Sequence, residues 1–235
     1  IAEAGTGVVL HRIGVGRRPE RLVVAPNGTV FVISRGSRSV SAIDPVRGVE
    51  LRSADAGVEP FGIALSPDAA TLLVTASASQ ELLAFDAATL SVRFRIALAD
   101  ALPGAVAFHP DGKRAFVTHL QGSHIDVVDL DRQKITSQLE LPKRGTGLSG
   151  GSIGFDVERF PDHAMSAVVS PGGTRLYVAH VMVNTGASQA GFGSGGYGLG
   201  APLPIVATVA TFDLASGKLL RSPVSAQGVQ LDSLR

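Results

Sequence analysis

Apolar and polar positions recur along the chain in short blocks of one design. An apolar-rich run leads into a turn built on proline. A second apolar run follows, then a third that closes on aspartate. The blocks begin RPERLVVAPNGTVFVIS (Arg18 to Ser34), EPFGIALSPDAATLLVTA (Glu59 to Ala76), LPGAVAFHPDGKRAFVTH (Leu102 to His119) and HAMSAVVSPGGTRLYVAH (His163 to His180). Their turn prolines are Pro26, Pro67, Pro110 and Pro171, and their closing aspartates Asp44, Asp86, Asp129 and Asp213. Short runs rich in Val, Leu, Ile and Phe, bounded by such turns, read as antiparallel strands. Proline presets φ in the turns and glycine supplies positive φ. With one more strand after each aspartate, every block holds four strands, a to d. The first two proline spacings are 41 and 43 residues, the stride of a β-propeller blade.

This pattern predicts an all-β chain: a β-propeller of four-stranded antiparallel blades, here about 18–57, 58–99, 100–142 and 162–226. GVVLHRIGVG (Gly7 to Gly16) reads as an additional N-terminal outer strand. The fourth block has its own strand d, so the N-terminal one is left over. That leads to the expectation of further blades beyond Arg235 and a ring of about seven, a closed four-bladed ring being the alternative.

Two blocks are stretched. The strand-b residue and the closing aspartate are 13 apart in three blocks (Phe31 to Asp44, Leu73 to Asp86, Phe116 to Asp129) but 36 apart in the fourth (Tyr177 to Asp213). The insertions fall at about 143–161 and 181–204. In an up-and-down blade the d–a and b–c links leave from one face, so both insertions are expected together on what we call the top face. Long loops on a rigid scaffold are where binding usually resides. Arg159, Asn184, Phe192 and Tyr197 are the candidate binding-loop residues.

Composition narrows the chemistry. The net charge is +1, from 21 Lys+Arg against 20 Asp+Glu, so no basic excess is available for phosphates and nucleic acid is not an expected partner. No apolar run is long enough to span a bilayer as a helix. The absence of cysteine excludes disulfides, zinc–thiolate sites and covalent c-type haem within these residues. Gly193, Gly195 and Gly198 spell a dinucleotide fingerprint but lack the strand before and helix after that the motif needs. The closing aspartates read as turn acceptors.

The histidines carry the remaining signal. His119 and His180 share one repeat position, the end of strand b, where the other blocks have Ser34 and Ala76. His124 lies across the b–c turn from His119. His163 precedes strand a, at the position of Arg18, Glu59 and Leu102, which is expected to open onto the channel. Imidazoles offer ligands to a transition metal or a haem iron. The candidate cofactor-binding set is therefore His119, His163 and His180, and the candidate metal set His119, His124 and His180. The plain alternative is polar side chains that finish strands. His109 and His11 belong to a turn on the opposite face and to a strand.

The segments SPDAATLLVTA, HPDGKRAFVTH and SPGGTRLYVAH resemble the YVTN-type β-propeller family over about Arg18 to Ala226. The resemblance implies an extracytoplasmic protein, periplasmic or secreted. It also implies kinship with redox-associated members that resemble the propeller parts of haem d nitrite reductase and quinoprotein amine dehydrogenases, or occur with c-type cytochrome modules. Three functions fit. The first is a scaffold without independent catalysis that presents its top face to a protein partner such as a cytochrome-type domain, or to a ligand. The second is an oxidoreductase subunit with haem or metal near the histidines, the cofactor held here or supplied by a partner or a further segment. The third is a cell-surface adhesion protein.

Overall fold

A computed structural model describes residues 1–98, 102–141, 144–146, 157–184 and 205–221. Four antiparallel sheets account for nearly all of its regular structure. The first holds β1 (Pro19–Val24), β2 (Val30–Ser34), β3 (Ser39–Asp44) and β4 (Val49–Asp55). The second holds β5 (Pro60–Leu65), β6 (Thr71–Ala76), β7 (Glu81–Asp86) and β8 (Val92–Ala97). The third holds β9 (Pro103–Phe108), β10 (Arg114–His119), β11 (His124–Asp129) and β12 (Lys134–Glu140). The fourth has five strands: β13 (Arg144–Thr146), β14 (Val157–Val169), β15 (Arg175–Asn184), β16 (Ile205–Asp213) and β17 (Leu219–Arg221). Each sheet is an up-and-down meander in chain order, and the inner strands β1, β5, β9 and β14 touch in that order. This is the blade arrangement of a β-propeller. Among the described residues no helix is long and apolar enough to cross a membrane.

Burial explains the apolar blocks. Phe31, Ile33, Val40 and Ala42 of the first blade pack on Leu72, Val74, Leu83 and Phe85 of the second. Leu73, Leu82, Ala84 and Leu98 of the second pack on Val106, Ala115, Val117 and Val128 of the third. Phe116, Ile125, Val127 and Leu139 of the third pack on Leu176, Val178, Ala210 and Phe212 of the fourth. Alternate residues of one strand thus serve two different cores. The middle strands are buried on consecutive positions, all of β2 among them, and they read as continuous apolar runs where a one-sided sheet would alternate. Each such Leu or Phe contributes about 1.5–3 kcal/mol. The outer strand β4 is almost wholly exposed.

The inner strands are held at close range by a threonine near the end of strand b. Thr75 Oγ1 donates to the Gly104 carbonyl of the next blade at 2.6 Å and accepts the Gly62 N–H of its own at 2.7 Å. Thr118 repeats this, donating to the Ala164 carbonyl at 2.5 Å and accepting the Ala105 N–H at 2.9 Å. Glycine makes the approach sterically feasible, since a Cβ on Gly62 would stand 2.5 Å from the Gly104 carbonyl oxygen.

The closing aspartates are turn acceptors. Asp44 takes the Val46 and Arg47 N–H groups, and Asp86 those of Ala88 and Thr89. Asp129 takes the N–H of Arg132, and Asp213 that of Ser216.

Gly7–Gly16, expected as the outer strand of a blade other than these four, pairs with none of the described blade strands; its one bridge joins Ala2 to Val9. A d strand needs a c strand with a free edge, and in the first blade that edge is already taken by β4. Ile13 and Val15 instead pack on Val30, Val32 and Ile43, covering the face of the first blade turned away from the second. At the other end of the row, Val168, Tyr177 and Val209 of the fourth blade remain exposed.

Thr118→Val should cost about 1–3 kcal/mol, because it leaves a buried N–H and a buried carbonyl unpaired; the urea midpoint measures it. Asp86, hydrogen-bonded by Arg93 and by Thr89, has its pKa lowered to about 2. Its stabilisation is complete above the unfolded carboxylate pKa near 4 and is lost as pH falls toward 2. Thermal unfolding of Asp86→Asn should accordingly be less pH-dependent than wild type between pH 4 and 2.

Candidate functional site

The top face is the end at which strand b finishes and strand a begins. Arg18, Glu59 and His163, equivalent in three blades, all adopt left-handed backbone, with φ of 55°, 56° and 47°. The conformation turns the chain sharply into the inner strand. The carbonyls at this position accept from the end of strand b: Arg35 N–H donates to Arg18 O and Ser77 N–H to Glu59 O, as Leu120 N–H does to Leu102 O in the third blade. Glu59 is engaged by an ion pair with Arg35, which also stands 3.7 Å from Glu20. Hydrogen bonding to Glu59 holds the Arg35 pKa above its ordinary value. Arg21 lies over the Phe61 ring, 4.3 Å from its centroid, and donates to the Met165 carbonyl at 3.1 Å. One guanidinium thereby links inner strands of the first, second and fourth blades. Sequence reading missed Arg21 and Arg35, since nothing local marks a long-range partner.

The fourth blade is taller than the others. Its b strand runs past His180 through Val181, Met182, Val183 and Asn184. The register joins Arg159 to Asn184 and Asp162 to Val181 on one side, and Ile205 to Val183 on the other. The roots of both insertions are therefore hydrogen-bonded neighbours in a ledge of β14, β15 and β16, flanked by β13 along Val157 to Arg159. Arg159 and Asn184 sit opposite each other in it, whereas Phe192 and Tyr197 lie outside the described residues.

Of the histidines, the fold unites two. His119 Nε2 is 3.0 Å from Asp126 Oδ2, and His124 Nε2 is 3.9 Å from Asp126 Oδ1. The two imidazoles lie 4.4 Å apart, centroid to centroid. Gln138 Nε2 donates to Asp126 Oδ1 at 2.9 Å. His119 and Asp126 are fully buried, at 0% and 1% exposed, and His124 is partly buried. Burial pushes the Asp126 pKa up, but hydrogen bonds from His119 and Gln138 and the charges of both histidines outweigh it and leave the carboxyl below its ordinary value. His119 Nδ1 and His124 Nε2 are buried without a hydrogen-bond partner. These three residues are the one group among the described residues with metal-ligand atoms mutually within 4.8 Å.

His180 is not in this group. Alternation along β10 places His119 on the face of Ala115 and Val117, toward the second blade; along β15 it places His180 on the face of Leu176 and Val178, toward the third. Equivalent residues point the same way around the axis, so the third sheet stands between them. The cross-strand neighbour of His180 is Thr208, and Ala210 stands where the third blade has Asp126. Burial lowers the His180 pKa, opposed by its contact with the Val181 carbonyl. His163 is exposed beside Asp162, 3.1 Å from its carboxylate. His109 bonds the Gly173 carbonyl at 2.9 Å and ties two turns on the opposite face.

Sequence reading missed Asp126 and Gln138. The available signal was the repeat itself: three residues before the closing aspartate, the other blades carry Ser41, Leu83 and Ala210. A carboxylate at a core position stands out only once the blades are superposed.

Because the folded-state pKa of His180 is depressed, its contribution to stability is present above the unfolded value near 6.5 and is lost as pH falls below it. His180→Gln should flatten the thermal-unfolding profile below pH 6.5.

No family model matches the chain and no curated protein does. Among solved structures it is similar to a chain of hydrazine synthase from Kuenenia stuttgartiensis, with a TM-score of 0.65 and 21% identity over 94% of this chain and 51% of that one. The chain thus spans about half the length of its structural neighbour. Likeness at this identity speaks to fold, and with the four stacked meanders it makes this chain a β-propeller.

Proposed function

We propose that the chain is part of an extracytoplasmic propeller of the YVTN type, a scaffold of about seven blades that presents its top face to a protein partner in a c-type cytochrome or other redox system. The observation that carries the reading is the ledge of β14, β15 and β16. In the other blades strand b stops after five or six residues, whereas β15 runs for ten. Extending all three strands beyond a rigid rim gives a platform whose backbone is already ordered, and pre-ordering lowers the entropic cost of association. The exposed apolar face of Val168, Tyr177 and Val209 supports a further blade beside the fourth, because the faces between the four described blades are covered. The redox association and the compartment rest on the resemblance of the repeats.

Replacing residues 185–204 by a two-residue turn should leave the unfolding midpoint unchanged and abolish capture of the partner. The chain is immobilised and exposed to an extracytoplasmic extract of its source organism, and the eluate is stained for covalent haem. A haem-bearing protein held by wild type and lost from the deletion is the expected result. Capture that survives the deletion removes the insertion carried by the ledge as the docking surface, and capture of haem-free protein alone removes the cytochrome association.

A further inference from the structure

The second and third blades solve the same packing problem differently. In the second, Ala76 and Leu83 are fully buried against the first blade. In the third, the equivalent positions are His119 and Asp126, equally buried and turned toward the second blade. Apolar side chains therefore suffice at these sites, and replacing them with an imidazole and a carboxylate costs desolvation that the fold alone does not require. The hydrogen bonds present recover only part of that cost. Asp126 is served by His119 and Gln138, but His119 Nδ1 and His124 Nε2 have no partner. A buried polar group left unsatisfied calls for an explanation, and an ion is one that the neighbouring imidazoles and carboxylate could hold.

We propose that His119, His124 and Asp126 form a binding site for one divalent transition ion of the zinc type at the top rim between the second and third blades. Two imidazoles and one carboxylate are a donor set that suits such an ion and not magnesium or calcium, which favour all-oxygen ligands. Gln138, hydrogen-bonded to Asp126 Oδ1, fixes the carboxylate as an outer partner does in metal sites. His124 Nε2 stands 3.9 Å from Asp126 Oδ1, wider than the ~3.3 Å between neighbouring ligands around a tetrahedral ion with bonds of about 2.0 Å. His124, which opens β11 directly after the b–c turn and is the least buried of the three, closes the site by a small ring movement. The ion would clamp strands b and c together at the end where the turn leaves them. This inference does not depend on a partner docking on the ledge.

The full chain is stripped with chelator and titrated with Co2+ alone, following visible absorption, and Zn2+ is then added as competitor. Wild type should take up one Co2+ per chain with a saturable visible band that Zn2+ abolishes, and Zn2+ should raise its unfolding midpoint. His124→Ala should bind about tenfold or more weakly and lose the Zn2+-induced rise in midpoint. His180→Ala and His163→Ala should match wild type. The double variant His119→Ala with Asp126→Leu, which installs the second blade's residues, should fold and show no band. Absence of a saturable band in wild type overturns the proposal, as does undiminished binding by His124→Ala or by the double variant.

Discussion

The structure depends on one constraint: a four-stranded sheet whose two faces are both apolar is stable only between two others. Each face between two described blades is satisfied by its neighbour, and at the first end of the row the chain supplies a partial substitute. Ile13 and Val15 serve that purpose for the first blade. The threonines at the ends of β6 and β10 then set how closely the inner strands approach, and Gly62 and Gly104 make that distance sterically attainable. The rigidity of the top face follows, because its turns are anchored to strands that cannot slide relative to one another.

That rigidity gives meaning to departures from the repeat. Where blades carry equivalent residues, a side chain reflects the shared geometry, as the closing aspartates do in all four and the left-handed Arg18, Glu59 and His163 in three. Where one blade differs, the difference asks for a separate cause. The third blade differs in its buried His119–Asp126 pair and the fourth in its extended strands. The first departure is energetic, an ionisable pair in a space that Ala76 and Leu83 fill in the second blade. The second is geometric, hydrogen-bonded backbone carried beyond the rim.

Most of the architecture was legible beforehand because it is periodic. Turn prolines and closing aspartates mark strand ends independently of tertiary contacts, and their local chemistry is satisfied within a few residues. Gly7–Gly16 shows the limit of such reading: its apolar spacing is that of a strand, but a strand exists only with a partner edge, and none of the four described blades offers it one. The extra height of the fourth blade was hidden as well. Val181 to Asn184 resemble the beginning of a loop until Arg159 and Ile205 are seen to flank them.

The sequence by itself determined the stride, the four strands of each blade, the turn chemistry and the existence of two oversized links, since all of these follow from local spacing and propensity. Only the tertiary structure decided which histidines meet. His119 and His180 are equivalent by repeat, yet the pleat directs both toward the preceding blade and leaves a sheet between them. Pairing across β10, β11 and β12 instead brought Asp126 and Gln138 to His119, and no one-dimensional count can supply that, because it depends on which face of each strand is turned to which neighbour.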